Sequence, residues 1–310
     1  MHSMGRRQIA GDTGTGGRRL GEWLIERGIQ VCGLFAIIFV LLIFAFLLRD
    51  ALPVLREAGV ADLLRGERWS PTAEPPQFGL LPLLLGSLYV TVGALLLAVP
   101  LGVACAIFVA EVAPPRVREV LKPVVELLAA IPSVVFGFLG LVLIGPWIAD
   151  RLDLPIGQFA ALGSLILAFM AMPTIVSVAE DAIRAVPRAY RDNSLALGAT
   201  HWQTIVRVVV PAARSGVIAA VLLGLGRAIG ETMTVLMVTG NAAVIPQGLV
   251  GFLRPVRTMT ATIAAEMGET AYQTPHYHAL FAIGVLLFVI TFLTNTVADI
   301  AVRRQPGVGR

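Results

Sequence analysis

Two charged residues within one apolar stretch are the best placed to do chemistry in this 310-residue chain. Arg227 and Glu231 are the only charged residues within residues 215–238. Their i, i+4 spacing places both on one face of a predicted helix, where they can form an ion pair. If that helix crosses a membrane, a charge at this depth costs about 2.5–3.5 kcal/mol on insertion scales, so both side chains must turn away from lipid.

Two roles fit Arg227 and Glu231. As an internal ion pair they would fix helix packing, and Gly226 and Gly230 beside them form a small-xxx-small pattern that lets another helix approach closely. As a polar patch they would line a path through the membrane, which is the usual role of ionisable groups at this depth. Arginine suits an oxyanion because its planar fork donates two parallel hydrogen bonds and stays charged. A neighbouring carboxylate would keep such binding weak enough for release.

The elements that must position this pair follow from the composition. Hydrophobic residues make up 56% of the chain, charged residues 14%, and the mean hydropathy is +0.81. Ordinary soluble domains carry about 25% charged residues, so a disordered protein, a coiled coil and a typical cytosolic enzyme are excluded. The sequence contains no segments of alternating polarity, which would be typical of a β-barrel. We therefore predict an all-α polytopic membrane protein with six transmembrane helices, from apolar runs at residues 28–48, 78–110, 127–149, 154–179, 215–238 and 279–298.

The first two runs and the loop charges define the topology. The first run is too long for the core of a signal peptide, so it predicts a true span. The second run exceeds one span, and we interpret residues 78–86 as an interfacial segment before a helix at 87–110. Loops on one side carry sixteen Arg and Lys residues and the other loops carry seven, which predicts that both termini are cytoplasmic. The arginines do not cluster on one face, so we expect no nucleic-acid partner.

These assignments divide the chain into five predicted parts. The parts are a flexible cytoplasmic tail at 1–28, a first transmembrane helix at 29–48, an extracytoplasmic loop at 49–77, a five-helix domain at 78–303 and a cytoplasmic tail at 304–310. His276 and His278 lie in an outer loop without a nearby acidic or thiol cluster. We interpret these two histidines as solvent-facing polar residues rather than as metal ligands.

The longest cytoplasmic loop, residues 180–214, has to contain structure of its own. Thr200 followed by Gln203 forms a capping box that can begin a short helix, and Gly198 permits a turn just before it. Pro211 restricts the backbone where the next span begins. Four apolar residues then fall at helical spacing on one face, namely Trp202, Ile205, Val206 and Val209. This face either lies in the membrane surface or docks into a cleft of another protein with Trp202 as its anchor.

The same loop carries a family resemblance. Gly198, nine residues and then Val208-Val209-Val210-Pro211 resembles the EAA loop of type I ABC importer permeases, although Asp192-Asn193-Ser194 stands where that family has Glu-Ala-Ala. A wider set of blocks in the family's order is similar to the PstC family of phosphate importer permeases. These blocks lie at residues 127–137, 172–176, 196–200 and 223–233, and the resemblance extends over about 78–303.

The resemblance implies a type I ABC importer permease fold with its coupling loop at about 188–211. In that family two permease subunits form the channel, and a helix of each EAA loop fits a groove on one of two ATPase subunits. Arg227 and Glu231 match the family's transport-critical arginine and glutamate. The matching ATPase-coupling residues are Leu197, Gly198, Ala199, Thr200, Trp202, Ile205 and Pro211.

The expected function is therefore that of a multi-pass permease in a bacterial-type cell membrane that translocates inorganic phosphate. The implied partners are an ATPase subunit dimer, a second homologous permease, an extracytoplasmic phosphate-binding protein, phosphate and membrane lipid. No cofactor is expected, and because no Walker motif is present we expect ATP hydrolysis to reside in the partner subunits.

Three alternatives stay open at this point. Sulfate and molybdate are similar oxyanions, so the permease could serve either of them. A secondary transporter would usually contain an internal repeat, and no convincing second copy of any block is found. A membrane-embedded enzyme would need paired catalytic groups, and Arg227 with Glu231 suits neither nucleophilic nor metal chemistry.

Overall fold

The computed structural model describes residues 15–303, so the predicted tail residues 1–14 and 304–310 lie outside the described residues. The chain divides into two compact units, the first of which ends at Arg49. Helix α1, Thr15–Glu57, accounts for the described part of this first unit. Large apolar side chains are exposed along it from Trp23 to Phe46, as in a helix that crosses a membrane. The helix extends beyond the predicted 29–48 at both ends, and residues 15–28 are helical rather than a flexible tail.

The second unit begins at Asp50 and is almost entirely helical. Two short strands, β1 (Trp69–Ser70) and β2 (Gln77–Phe78), pair antiparallel with Trp69 opposite Phe78. Helix α3 (Leu81–Ile107) continues as a π-helix, Phe108–Val112. The remaining helices before the elbow region at residues 188–212 are α2 (Val60–Arg65), α4 (Pro115–Ala130), α5 (Ser133–Leu139) with its π-helical continuation Gly140–Ile144, α6 (Gly145–Leu152) and α7 (Ala160–Arg184).

The second half of this unit contains shorter helices and one long terminal helix. A π-helix, Ile205–Val209, and a 3-10 helix, Leu249–Leu253, interrupt the α-helical segments. The α-helices are α8 (Arg188–Ala196), α9 (His201–Thr204), α10 (Val210–Ala212), α11 (Arg214–Gly230), α12 (Met233–Val238), α13 (Met259–Glu266) and α14 (Pro275–Arg303).

The core of the second unit forms around α7, which packs against α3 and α11. Small residues allow these helices to approach closely, and Ala98 and Ala171 are fully buried between them. The Ser164 hydroxyl donates a 3.1 Å hydrogen bond to the carbonyl of Val90, which joins α7 to α3 inside the core. A Cβ added at Gly93 would collide with Ser164, so the close contact requires glycine there.

Five described helices are long and apolar enough to cross a membrane. A sixth span results if α9–α10 and α11, which meet at a 69° bend, are counted as one broken segment. This architecture is that of an all-α polytopic membrane protein, the class predicted from the sequence.

Several predicted spans begin at other residues in the structure. Helix α3 already begins at Leu81, so residues 78–86 do not form a separate interfacial segment. The third span begins at Ser133 rather than at residue 127, because Pro132 disfavours helical backbone at the residue before it and ends α4. The fourth span begins at Ala160, after a turn, rather than at residue 154.

Candidate functional site

The predicted continuous helix at residues 215–238 is wrong, because the chain leaves the helix at Glu231. Helix α11 ends at Gly230, and Glu231 adopts an extended backbone with φ −68° and ψ 131°. Helix α12 then begins at Met233. Glycine has a low helix propensity, and the Glu231 carboxylate accepts a 3.2 Å hydrogen bond from the backbone N–H of Thr234 in the first turn of α12. We call this interruption the helix break, residues 231–232.

The helix break separates the two charges that were predicted to pair. Within residues 15–303 no ion pair joins Arg227 to Glu231, because the two residues no longer share one helical face. Arg227 lies in the last turn of α11 with its side chain exposed, and a cation is favoured near a helix C-terminus. Glu231 is half-buried. The structure therefore presents an exposed arginine beside an interrupted helix.

Hydroxyl groups surround the carboxylate side of the helix break. A small cleft beside Glu231 is lined by Ser87 and Thr91 from α3 and by Thr258 and Thr260 at the start of α13. The Thr260 hydroxyl donates a 2.8 Å hydrogen bond to the Glu231 carbonyl. Sequence reasoning missed Thr260, because nothing local indicates that a residue 29 positions along the chain reaches the break.

Helix α12 is fastened to α5 on the other side of the helix break. The fully buried Thr234 donates a 3.0 Å hydrogen bond from its hydroxyl to the carbonyl of Ser133. A Cβ added at Gly137 would come within 3.1 Å of the Thr234 Cα, so the two short helices are in close backbone contact. The break thus lies between two firmly packed helices, α11 and α12.

The loop between α7 and α11 forms a compact structure that we call the elbow, residues 188–212. Both hydrogen bonds of the predicted capping box are present: the Gln203 N–H donates to the Thr200 hydroxyl at 3.2 Å, and the Thr200 N–H donates to Oε1 of Gln203 at 2.9 Å. Gly198 has φ +86°, which provides the predicted turn between α8 and α9. The capping box and the turn are therefore confirmed.

The four apolar residues of the elbow do not share one face. Ile205 and Val209 are buried, with 2% and 0% exposure, whereas Trp202 is 65% and Val206 46% exposed. The reason is the π-helix Ile205–Val209, whose wider turn changes the spacing that an α-helix would give. Leu197, at 89% exposure, adds to the exposed apolar surface next to Trp202.

A partly buried arginine, Arg191, fixes the elbow to the ends of two long helices. Arg191 forms a 2.5 Å ion pair with Glu111, which lies in the π-helical end of α3 and is 8% exposed. The same guanidinium donates hydrogen bonds to the carbonyl of Ile183 in the last turn of α7 and to that of Val186 just beyond it. Ser194 and Thr204 join α8 to α9 through their hydroxyls at 3.0 Å. Sequence reasoning placed Arg191 in the loop without assigning it this contact.

A second ionic cluster fixes α4 to α7 near the elbow. Glu180 is 2% exposed and accepts from Lys122 at 3.0 Å and from Arg184 at 2.9 Å. The hydrogen bond to Glu180 raises the pKa of Lys122 above its ordinary value of 10.5. Lys122 is the only lysine of the chain. We call Lys122, Glu180 and Arg184 the α4–α7 clamp.

Glu266, at the end of α13, collects donors from three other segments. Its carboxylate accepts from the indole of Trp69 at 3.2 Å, from Arg257 at 2.5 Å and contacts Nε2 of His276 at 2.7 Å. His278 contacts the carbonyl of Asp50 at 2.6 Å. The interpretation of the two histidines as solvent-facing is therefore wrong, because each is partly buried with a specific partner. Among the described residues no group of three or more potential ligands could hold a metal ion.

The fold agrees with comparisons to known proteins. The sequence pattern of the family "Binding-protein-dependent transport system inner membrane component" matches residues 98–305, and the chain belongs to this family. Two solved structures share the fold: an inward-facing MetNI methionine ABC transporter (TM-score 0.55, 19% identity, 70% of this chain and 92% of that chain) and a bacterial ABC transporter that imports alginate (0.54, 16%, 72% and 79%).

Several relatives share the sequence more extensively than the two solved structures do. The probable ABC transporter permease protein YqgH of Bacillus subtilis is 40% identical over 89% of both chains. The phosphate transport system permease protein PstC of Mesorhizobium japonicum is 36% identical over 76% of each chain, and PstC 1 of Mycobacterium tuberculosis is 37% identical over 73%. The resemblance to PstC-type permeases is confirmed.

Proposed function

We propose that this chain is the permease subunit of an ATP-driven importer that moves inorganic phosphate across a bacterial cell membrane. The observation that carries the proposal is the exposed Arg227 beside a helix break in the fifth apolar stretch. Interrupted helices in transporters occur where the backbone is covered by protein or lines a water-filled path. An arginine cannot face lipid there at low cost, so a path for an anion explains both features.

Arg227 and Glu231 have different chemical roles in this proposal. The guanidinium donates paired hydrogen bonds to phosphate oxygens and stays charged at any physiological pH. Glu231 repels the anion and keeps its residence short, which conduction requires. The PstC relatives, named as phosphate transport permeases, support phosphate over other oxyanions.

The partners follow from two exposed surfaces. Leu197 and Trp202 project from the elbow as an apolar surface that suits a groove on a cytoplasmic ATPase subunit. With both termini cytoplasmic, as the loop charges predict, the elbow faces that subunit. An added Cβ would meet nothing within 4 Å at Gly226 and Gly230, so a second permease has room to pack beside Arg227. A phosphate-binding protein would deliver substrate from the opposite side, and ATP hydrolysis would take place in the ATPase dimer.

The test is phosphate uptake by the complete complex in liposomes. We expect Arg227→Gln and Glu231→Gln each to abolish uptake without reducing membrane insertion, because each removes a charge at the helix break. Arg254→Gln is the matched control, since Arg254 is an exposed arginine of another loop. Uptake at the wild-type rate in both Gln variants would contradict the pathway role.

Two further results would contradict the proposed class or substrate. Accumulation of phosphate by liposomes that contain this chain without an ATPase would indicate a secondary transporter. If the complex imports labelled sulfate or molybdate and no phosphate, the protein is still an importer permease but its substrate is another oxyanion.

A further inference from the structure

Helix α13 lies between the helix break and the Glu266 cluster. Its N-terminus is capped by Thr258, whose hydroxyl accepts from the N–H of Ala261 at 3.3 Å. The N–H of Met259 donates to the hydroxyl of Ser87 in α3 at 2.8 Å. The first turn of α13 is therefore fixed both by its own cap and by a neighbouring long helix.

One side chain of this first turn reaches the helix break. The Thr260 hydroxyl donates to the Glu231 carbonyl at 2.8 Å and lies 3.3 Å from the Thr258 hydroxyl. Because α11 has ended, the Glu231 carbonyl lies outside the hydrogen-bond ladder of the helix. The Thr260 hydroxyl donates the hydrogen bond that this carbonyl accepts. The hydrogen bond fixes the orientation of the peptide unit that follows Glu231, and with it the extended backbone of the break.

The other end of α13 is fixed just as firmly. Glu266 binds Trp69 and His276 from two other segments of the chain, and also Arg257 just before the Thr258 cap. At the N-terminal end, the backbone of Arg257 lies so close to α3 that a Cβ added at Gly86 would collide with the Arg257 carbonyl. Helix α13 is thus held at both ends, and Thr260 cannot follow a displaced helix break by simple rotation of α13.

We propose that Thr260 is a positioning residue of the transport pathway, which acts through the Glu231 carbonyl to set where the helix break places Arg227 and Glu231. This inference rests on the proposed function of those two charges. Thr260 carries no charge and need not touch the substrate. Its contribution is the geometry of the peptide after Glu231, held against the rigidly anchored α13.

The proposal predicts different effects on phosphate uptake for valine and for serine at position 260. Valine has the shape of threonine but donates no hydrogen bond, whereas serine retains the hydroxyl. In the reconstituted complex with its binding protein, we expect Thr260→Val to lower the maximal phosphate uptake rate about fivefold, as the loss of one hydrogen bond in the transport step would. We expect Thr260→Ser to restore most of the rate.

A purely structural hydroxyl would not change how transport is coupled. We therefore measure phosphate imported per ATP hydrolysed, together with the phosphate concentration at half-maximal uptake. Thr260→Val should lower the first ratio and leave the half-maximal concentration, which capture by the binding protein sets, unchanged. Thr296→Val is the matched control, because the Thr296 hydroxyl donates to a carbonyl of its own helix, that of Phe292, at 2.7 Å.

The outcomes are distinct. Equal phosphate-to-ATP ratios in Thr260→Val, Thr296→Val and wild type would overturn the proposal, and so would a serine variant as impaired as the valine variant. If Thr260→Val is not recovered as an intact complex, Thr260→Ala removes the hydroxyl without a new methyl group and is judged by the same ratio. A wild-type complex that imports no phosphate would instead contradict the proposed function.

Discussion

The elbow and the helix break are both interruptions of helical structure, and they are built in opposite ways. The local shape of the elbow is set by the Thr200 capping box and the Gly198 turn. Arg191 fastens the elbow to carbonyls of the preceding segment and to Glu111 of a distant one. The exposed surface of the elbow includes the large apolar side chains of Leu197 and Trp202. The helix break is held by residues distant in sequence, such as Thr260, and what it exposes is the charge of Arg227.

This difference separates the two tasks of a driven permease. An apolar surface on a stiff support can receive force from another protein, because binding there does not deform it. A charge beside an interrupted helix can change its surroundings when the flanking helices move. We infer that the elbow is built to transmit motion and the helix break to respond to it.

The largest expected effect concerns the exposed surface of the elbow. Trp202→Asp removes the aromatic anchor and places a charge in the docking groove, so we expect ATPase subunits to bind about thirtyfold more weakly, a typical hot-spot loss. Uptake should fall in parallel. Binding of purified ATPase to the permease measures this, with Trp202→Phe as the control that retains an aromatic ring. If Trp202→Asp binds the ATPase with unaltered affinity, the proposal that the ATPase docks at the elbow is contradicted.

An intermediate effect is expected when the support of the elbow is weakened and its surface is kept. Arg191→Met breaks the ion pair to Glu111 and leaves a nearly buried carboxylate unpaired, which costs about 1–3 kcal/mol. We expect a lower melting temperature of the complex and less uptake per ATP hydrolysed, with ATPase binding unchanged.

Arg188→Met is the matched control for the Arg191 prediction, because Arg188 lies in the same helix with its side chain exposed. If both variants behave alike in melting and in coupling, the contacts of Arg191 do not stiffen the elbow.

The smallest effect concerns the α4–α7 clamp. Lys122 is partly exposed, so its ion pair contributes less than about 1 kcal/mol. Because Glu180 raises the pKa of Lys122, this stabilisation is complete below pH 10.5 and is lost as the pH rises through the raised value. The melting temperatures of wild type and Lys122→Met should therefore differ at pH 8 and converge above pH 10.5. Lys122→Arg should keep a higher melting temperature than Lys122→Met at high pH, because arginine stays charged. A difference in melting temperature between wild type and Lys122→Met that does not change with pH would contradict the assignment.

The sequence predicted the elbow better than the helix break for a physical reason. Thr200 and Gln203 are three residues apart, and the Gly198 turn is adjacent, so the motif is complete within a few residues. The break depends on Thr260 and on the packing of Thr234 against Ser133, which no local pattern encodes. The apolar run at residues 215–238 predicted one helix because hydropathy does not register a change of backbone at Glu231.

The same reasoning explains the boundaries of the spans. Hydropathy located the apolar segments, but α4 continues through residues 127–130 before Pro132 interrupts the chain. The type of fold followed from the sequence because membrane spans are long and apolar. The ionic contacts of Arg191 and Glu266 did not follow, because both join segments far apart in the chain.

The π-helix Ile205–Val209 has a consequence for how this protein can vary. Each α-helical residue advances about 100° around the axis, so a deletion of one residue that converted this π-turn to α-helix would rotate Trp202 by roughly that angle relative to Val209. Substitutions among similar aliphatic residues would leave the direction of Trp202 intact. The number of residues in the π-turn, more than their identity, therefore sets the direction in which Trp202 points. A relative with one residue fewer in this stretch would need a compensating insertion nearby to keep that direction.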